Sequence, residues 1–369
     1  MSNIYIHGIE TAVPETSYPQ EQIGTVMLAQ IDPESKGARL LRRVYKHSGI
    51  EKRHSVIRDY ADGKHDGLFF DASSDSYKSP TTGARNDLYA VEARKLFREV
   101  SSRAIENCEG INRTDITHVI TVSCTGFFAP GPDYYIVKDL GLDPSTQRFH
   151  IGFMGCYAAF PALKMAEAFC VADTDAVVLI VCLELCTLHL QPSEEIDGIV
   201  ATSVFADGAS SAIVSARQSA PENASLKIAK FLSTIAPNSE ADMAWSIGDH
   251  GFDMVLSTYV PRILEANVAS IVSTLLGEVG LEQKDIDRWA IHPGGRAILD
   301  KTETALSLNG DSLSASRRVL KDFGNMSSAT ILFVLKEILD SAASRADEKI
   351  FAMAFGPGLT VESALFTRV

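Results

Sequence analysis

Apolar residues occur along the chain in short runs that alternate with amphipathic stretches. The runs are rich in β-branched residues and nearly continuous, as is typical of strands covered on both faces of a sheet. Such strands are predicted at Thr117–Ser123, Ala176–Cys182, Ser211–Ser215, Lys227–Ser233, Trp289–His292 and Ile350–Phe355. The first residues, Met1 to Ile9, also predict a strand.

Four longer stretches repeat apolar residues at helical spacing. They predict helices over Leu88–Asn107, Tyr157–Val171, Val260–Val279 and Ala329–Ala343. Asn86 and Asp87 are candidate caps of the first helix. Because strands alternate with helices in both halves of the chain, the pattern predicts an α/β protein and allows a duplicated unit.

Two stretches interrupt this alternation. Arg58–Thr82 is rich in Asp, Ser, Gly and Lys, which predicts a long surface excursion. Arg217–Ser225 is polar, contains a proline and separates two strand-rich halves. We therefore expect a domain junction there, with domains at residues 1–220 and 221–369.

The composition is that of a globular enzyme of one large or two fused domains. The chain has 369 residues, 46% hydrophobic and 22% charged. A net charge of -13 argues against nucleic acid as the main partner, although a local basic patch can still bind an anionic ligand. We expect no membrane association, since no apolar run approaches the roughly 20 residues that cross a bilayer. The N-terminal stretch also lacks the basic region of a secretory signal.

The chain contains six cysteines, several of them within apolar runs. They form no small loop-rich framework, so we expect reduced thiols and a cytoplasmic protein. Cys182 and Cys186 are four residues apart, but no second pair of metal ligands follows. Two packed thiols are favoured over a zinc site.

One cysteine stands where a nucleophile is expected. Cys156 follows a short apolar strand and Gly155, and a helical stretch comes next. The unpaired N–H groups and the macrodipole of a helix N-terminus favour an anion. This position predicts a depressed pKa for the Cys156 thiol. The alternative is a buried, inert cysteine.

Two distant residues are candidate partners of this thiol. His292 ends an apolar strand and precedes Pro-Gly-Gly, a turn that would expose the imidazole at the end of a sheet strand. Asn325 lies just before the helical stretch at Ala329, where a helix cap is the simpler interpretation. A cysteine with a distant histidine and asparagine predicts nucleophilic catalysis.

Other candidates carry weaker signals. Arg39, Arg43 and Lys46 form a basic cluster on a predicted helix, either a solvated face or a clamp for phosphates. Phe205 and Phe252 lie beside glycine-containing turns, and aromatic residues of this kind usually belong to the core.

Several motifs resemble those of one family, the type III polyketide synthases of the chalcone and stilbene synthase group. They are Ser123-Cys-Thr-Gly, Phe153-Met-Gly-Cys-Tyr, Phe205-Ala-Asp-Gly-Ala, Ile291-His-Pro-Gly-Gly-Arg, Phe323-Gly-Asn-Met-Ser-Ser-Ala and Phe355-Gly-Pro-Gly-Leu. The resemblance extends over nearly the whole chain. It implies an α/β thiolase-like fold with two similar αβαβα halves, and a homodimer.

The resemblance also implies roles for individual residues. Cys156, His292 and Asn325 would form a catalytic triad, and Phe205 and Phe252 a gate between a coenzyme A tunnel and the reaction cavity. The residues that would line the cavity are Cys124, Cys186, His189, Ser327 and Pro357. Arg43 matches a position that binds coenzyme A, while Leu40 and His47 stand where plant enzymes carry lysine, so Arg39 or Lys46 would substitute. The substrates would be an acyl-coenzyme A starter and malonyl-coenzyme A, with no metal or other cofactor.

The chain departs from the plant enzymes in the cavity. Cys124 and His189 stand at threonine positions, and Ala129 at the position of a methionine that reaches across the plant dimer. Cysteine at position 124 is similar to several microbial members, which often accept aliphatic or malonyl starters, so we expect a microbial-type enzyme. The resemblance implies that the polyketide closes to a pyrone, resorcinol or phloroglucinol, as the shape of the cavity decides.

Two alternatives are open. An initiating ketoacyl synthase has the same triad but uses an acyl carrier protein. A non-catalytic acyl-coenzyme A binding protein of this fold is the second. The starter, the number of extensions and the ring closure do not follow from the motifs.

Overall fold

A computed structural model describes residues 3–60, 67–220, 223–237, 239–342 and 345–369. Parts of the predicted excursion at Arg58–Thr82 and of the predicted junction at Arg217–Ser225 lie outside these residues. The strands are β1 Tyr5–Ala12, β2 Ser17–Pro19, β3 Lys52–His54, β4 Phe70–Asp71, β5 Ser76–Tyr77, β6 His118–Ser123, β7 Gln147–Gly152, β8 Val177–Leu185, β9 Asp207–Ser215, β10 Leu226–Ile235, β11 Met243–Gly248, β12 Gly251–Leu256, β13 Arg288–Ile291, β14 Lys349–Gly356 and β15 Thr360–Arg368.

The helices alternate with these strands. They are α1 Gln20–Leu28, α2 Lys36–His47, α3 Thr82–Glu106, α4 Pro132–Leu140, α5 Ala159–Ala172, α6 Ile196–Val204, α7 Val260–Glu278, α8 Arg296–Ala305, α9 Ser314–Phe323 and α10 Thr330–Leu339. Short 3₁₀ turns precede two of them, Gly155–Tyr157 before α5 and Ser327–Ala329 before α10.

The nine-stranded main sheet contains two four-stranded units with the same topology, and β7 extends the first unit at its edge, parallel to β6. In the first half, β6 and β8 are parallel, and β8, β9 and β1 follow in antiparallel order. In the second half, β13 and β14 are parallel, and β14, β15 and β10 follow in antiparallel order. The halves meet where β1 pairs with β10 at two positions only. The duplicated unit expected from the sequence is confirmed.

Helices α5 and α10 occupy equivalent places in the two units and share one hydrophobic core. That core combines α5 and α10 with residues of β6, β8 and β9 from the first half and of β14 and β15 from the second. Every residue of β8 and β9 is buried, as the continuous apolar runs predicted. The turn before α5 and the turn before α10 therefore meet at the centre of the molecule.

The predicted start of helix α3 was wrong. The helix begins at Thr82, six residues before the predicted Leu88, and its N-cap is Thr81, whose hydroxyl accepts a hydrogen bond from the N–H of Ala84. Asn86 is not a cap. Its side-chain amide exchanges two hydrogen bonds with the backbone of Phe127 and so fixes the loop after β6.

Candidate active site

Cys156 lies in the 3₁₀ turn between β7 and α5. The preceding Gly155 has a φ of +76°, a conformation that favours glycine. A Cβ atom on Gly155 would stand 2.6 Å from Cδ of Pro357. The backbone thus approaches the Gly-Pro-Gly turn of the second half closely at this point, and the close approach requires glycine.

His292 directly follows β13. Its backbone N–H donates to the carbonyl of Met353 at 2.8 Å, which continues the pairing with β14. The imidazole is buried, and neither ring nitrogen has a hydrogen-bond partner within the described chain. Buried polar groups are normally paired, so these two nitrogens are available to a ligand.

Asn325 is held on both its backbone and its side chain. Its N–H donates to Val204 and its carbonyl accepts from Ala206, which ties the two halves of the molecule together. Its Oδ1 accepts from the N–H of Ser327 at 2.9 Å. The amide nitrogen Nδ2 consequently faces the sulfur of Cys156, at 3.9 Å.

These three residues line one cavity at the junction of the halves. The space open to the centre of a water molecule is about 30 Å³, and the surrounding surface is almost entirely apolar. Four residues that were predicted to line the reaction cavity, Cys124, Cys186, Ser327 and Pro357, line this cavity, and so does Phe205, which was predicted to form the gate. Their roles stay predictions. The remaining lining residues are Thr125, Gly155, Met243, Trp245, Met254, Leu256, Gly294, Ile298 and Phe355.

His189 and Phe252 are not among the lining residues. The rings of His189 and Phe252 stack at 4.0 Å, and the imidazole Nδ1 accepts from the N–H of Phe252. Nε2 of the same ring donates to the carbonyl of Thr125 at 2.8 Å. These two rings pack against each other beside the cavity, so they do not form the wall predicted at His189 or the gate predicted at Phe252 in the resting site. Met254, two residues along the same face of β12, lines the cavity in place of Phe252.

The hairpin β11–β12 supplies lining residues that the sequence analysis missed. Met243 and Trp245 on β11 and Met254 and Leu256 on β12 contribute to the wall. The indole N–H of Trp245 donates to the carbonyl of Cys124 at 2.9 Å. Alternation of apolar residues on both sides of Gly-Asp-His-Gly is a hairpin signal that could have found them.

A second, open cavity adjoins the first on the side of the surface, and we call it the entrance cavity. The two share Leu256, Gly294 and Ile298. Arg43 lines the entrance cavity, together with Leu40, Val44 and His47 of α2. Arg39 and Lys46 do not line it, because the lining residues of α2 follow the i, i+3, i+4, i+7 spacing of one helix face and these two lie off that face.

Comparison with known proteins decides the family. Residues 2–218 match the N-terminal domain of the chalcone and stilbene synthases, and residues 227–369 match the C-terminal domain. This chain belongs to the chalcone and stilbene synthase family. The predicted domain boundary stays a prediction.

Relatives of this synthase include bacterial and eukaryotic polyketide synthases. It is 33% identical over 365 residues to the alpha-pyrone synthesis polyketide synthase-like Pks18 of Mycobacterium tuberculosis, covering 98% of this chain and 90% of that protein. The structure of a polyketide synthase of the brown alga Ectocarpus siliculosus has a TM-score of 0.91 and 28% identity, covering 100% of this chain and 99% of the other. The 1,3,6,8-tetrahydroxynaphthalene synthase of Streptomyces coelicolor has a TM-score of 0.87 and 27% identity over the same shares. The synthase is a type III polyketide synthase with a thiolase-like fold, a transferase that catalyses decarboxylative condensation.

The depressed pKa predicted for Cys156 is wrong for this resting site of the synthase. Burial raises the pKa of the Cys156 thiol to about 11, although hydrogen bonds with Ser327 and Asn325 act in the opposite direction. Burial lowers the pKa of His292 to about 3. Desolvation disfavours the charged form of both groups in the free protein.

The synthase also contains a buried carboxyl that the sequence analysis missed. Glu184 on β8 accepts hydrogen bonds from the N–H of Cys124 and from the hydroxyls of Thr125 and Ser328. Burial raises its pKa above the usual range. These contacts hold the loop that carries Cys124 against the turn before α10.

Two further expectations concern absences. All six cysteines are free, and no group of three or more metal-ligating side chains occurs in the described ranges. None of the described helices is both long and apolar enough to cross a bilayer. That catalysis needs no metal and that the synthase is cytoplasmic stay predictions.

Proposed function

We propose that Cys156 accepts an acyl group from an acyl-coenzyme A starter and that His292 and Asn325 activate malonyl-coenzyme A for its extension. The observation that supports this most directly is the convergence of the three side chains, from three separate segments, on one buried cavity that adjoins the open entrance cavity. A nucleophile beside a base and an amide donor is the arrangement that acyl transfer requires.

The loading step begins from the neutral pair. His292 takes the proton of Cys156 as the sulfur attacks the thioester carbonyl, so charge develops only when substrate is present. The tetrahedral intermediate then collapses, the carbon–sulfur bond of coenzyme A breaks, and the leaving thiolate receives the proton from His292. The product is an acyl thioester on Cys156.

The extension step uses two hydrogen-bond donors, one from Asn325 and one from His292. Nδ2 of Asn325 and the protonated ring nitrogen of His292 donate to the thioester carbonyl of malonyl-coenzyme A, and each such donor stabilises the enolate that forms as carbon dioxide leaves. The enolate carbon attacks the acyl carbonyl on Cys156 and forms a carbon–carbon bond. The thioester bond to Cys156 breaks, and the sulfur of Cys156 leaves as a thiolate. The apolar wall keeps water from the enolate.

The small cavity favours a short product. Only about 30 Å³ is available to the centres of water molecules, so the resting wall leaves little room beside Trp245 and Met254. We propose a short aliphatic starter and few extensions, ending when an enol oxygen attacks the thioester on Cys156 and releases an α-pyrone. The printed name of the mycobacterial relative, which refers to alpha-pyrone synthesis, supports this choice of ring.

We also propose a homodimer. Phe127 and Tyr134 are exposed large hydrophobic residues near the loop of Ala129 and the start of α4, and Val91 on α3 is exposed as well. Strand β7 is an edge strand of the main sheet. Exposed apolar side chains beside an open strand edge mark an association surface.

Product analysis tests this function. The purified protein is incubated with malonyl-coenzyme A and a panel of acyl-coenzyme A starters, and product masses are read out. We expect pyrone masses from short aliphatic starters and none from the Cys156→Ala variant. Turnover only with a starter on an acyl carrier protein would favour a ketoacyl synthase, and binding without turnover would favour a non-catalytic protein.

A further inference from the structure

The walls of the entrance cavity carry positive charge from two different elements. Arg43 projects from α2, and Arg296 is the first residue of α8. None of the described residues that line this cavity is Asp or Glu. In a chain of net charge -13, a lining with arginines and without carboxylates is a local site for an anion.

The wall formed by α2 brings few nitrogen atoms to the lining. On α2 only Arg43 and the imidazole of His47 bring nitrogen to the lining. Arg39, one of the residues expected to substitute, turns back and donates from Nη1 to the carbonyl of Glu34 at 2.9 Å. Among the described lining residues, the second guanidinium is that of Arg296 on α8.

Arg296 is held over the entrance by its own neighbours. Its side-chain carbons pack against the turn at Gly49, just after α2. Nε of Arg296 lies 3.5 Å from Asp300, but the same carboxylate accepts from Nη1 of Arg317 at 2.7 Å. Asp300 thus neutralises Arg296 only in part, and the positive end of the α8 macrodipole adds to the local potential.

We propose that Arg296 binds the phosphates of the coenzyme A thioesters and completes, with Arg43, a clamp across the entrance cavity. This inference rests on the proposed function. A guanidinium suits the role because its planar donors match two phosphate oxygens. Arg296 acts on the part of the substrate that carries phosphate, so its effect depends on the presence of that part.

Paired substrates test the proposal. The kcat/KM of Arg296→Gln is measured with an acyl-coenzyme A starter and with the same acyl group on N-acetylcysteamine, which has no phosphate. We expect the ratio of the two kcat/KM values to fall about tenfold, the lower end for a hydrogen bond to a charged group, mainly through KM. Arg296→Lys should recover part of the loss.

Two control variants make the result specific. Arg318→Gln removes an arginine of α9 that pairs with Glu337 and does not line the entrance cavity, so its ratio should stay at the wild-type value. Arg39→Gln tests the rival position. An unchanged ratio in Arg296→Gln, or an equal fall in Arg39→Gln, overturns the proposal. If the wild type turns over neither substrate, the proposed function itself fails.

Discussion

At the scale of single residues, burial affects the pKa of Cys156 more than the N-terminus of α5 does. The thiol of Cys156 follows a strand and precedes a helix as the sequence predicts, yet its pKa is raised because the thiol is buried. The unpaired imidazole of His292 has its pKa lowered for the same reason. In both cases desolvation disfavours the charged form of the group.

The pH dependence of alkylation tests this reversal. A thiol with a raised pKa is protonated at neutral pH, and its thiolate fraction rises tenfold per pH unit below that pKa. We expect the rate of iodoacetamide labelling at Cys156 in the free protein to keep rising from pH 7 to 9. His292→Ala should leave the rate at pH 7 unchanged. A labelling rate that no longer rises with pH above pH 7, and that is lower in His292→Ala, would show instead that the pKa of Cys156 is depressed.

Cys156→Ala should separate two activities. The rate of condensation should fall about a thousandfold or more, since the sulfur that carries the acyl group is absent. Slow decarboxylation of malonyl-coenzyme A should continue, because the donors of Asn325 and His292 remain. Release of carbon dioxide is the measurement, with Cys156→Ala/Asn325→Ala expected to lose about a further hundredfold. Full condensation by Cys156→Ala would contradict the assignment.

Gly155→Ala should destabilise the protein by more than its backbone conformation alone requires. A positive φ costs a non-glycine residue about 1–2 kcal/mol, and the new Cβ would also meet Pro357. The matched control is Gly141→Ala, which has a φ of +64° and open space around a Cβ. Urea denaturation should give a larger loss of unfolding free energy for Gly155→Ala. Equal losses of unfolding free energy in the two variants would show that Pro357 moves away from the new Cβ without a measurable energetic cost.

At the scale of elements, the hairpin β11–β12 shapes the cavity and is hydrogen-bonded to the loop after β6. The indole of Trp245 and the imidazole of His189 donate to the consecutive carbonyls of Cys124 and Thr125. Phe252 contacts both rings. The hairpin and the loop after β6 are thereby joined into one wall, so a change in one should move the other.

Trp245→Ala should lengthen the product. Removing the indole enlarges the cavity next to Cys124, which leaves room for at least one more two-carbon unit before release. Trp245→Phe keeps most of the bulk but loses the hydrogen bond, so it should keep the wild-type product. Product masses from one starter provide the measurement. A longer product from Trp245→Phe would assign chain length to the hydrogen bond instead of the volume.

At the scale of the whole molecule, duplication brings the site together. The turn before α5 carries Cys156, and the equivalent turn before α10 follows Asn325. The pairing of Asn325 with the backbone around Phe205 fastens one half to the other. A site at this junction depends on both halves, and neither half alone contains the three residues.

Local signals predicted much of this arrangement. The buried strands and the motifs around Cys156, His292 and Asn325 depend on neighbours in sequence, and the structure brings these residues to one cavity. The direction of the Cys156 pKa was missed because burial is produced by distant segments. Arg39 and Lys46 were grouped with Arg43 by proximity in sequence, whereas the helix face decides which side chains reach the entrance.

Acylation of Cys156 is the central claim, and mass spectrometry tests it most directly. The protein is incubated with a starter acyl-coenzyme A without malonyl-coenzyme A, quenched in acid and digested. The peptide that contains Cys156 should gain the mass of the acyl group, and the gain should be absent in Cys156→Ala. An acyl group found on Cys124 or Cys186 instead, and unaffected by that substitution, would contradict the account.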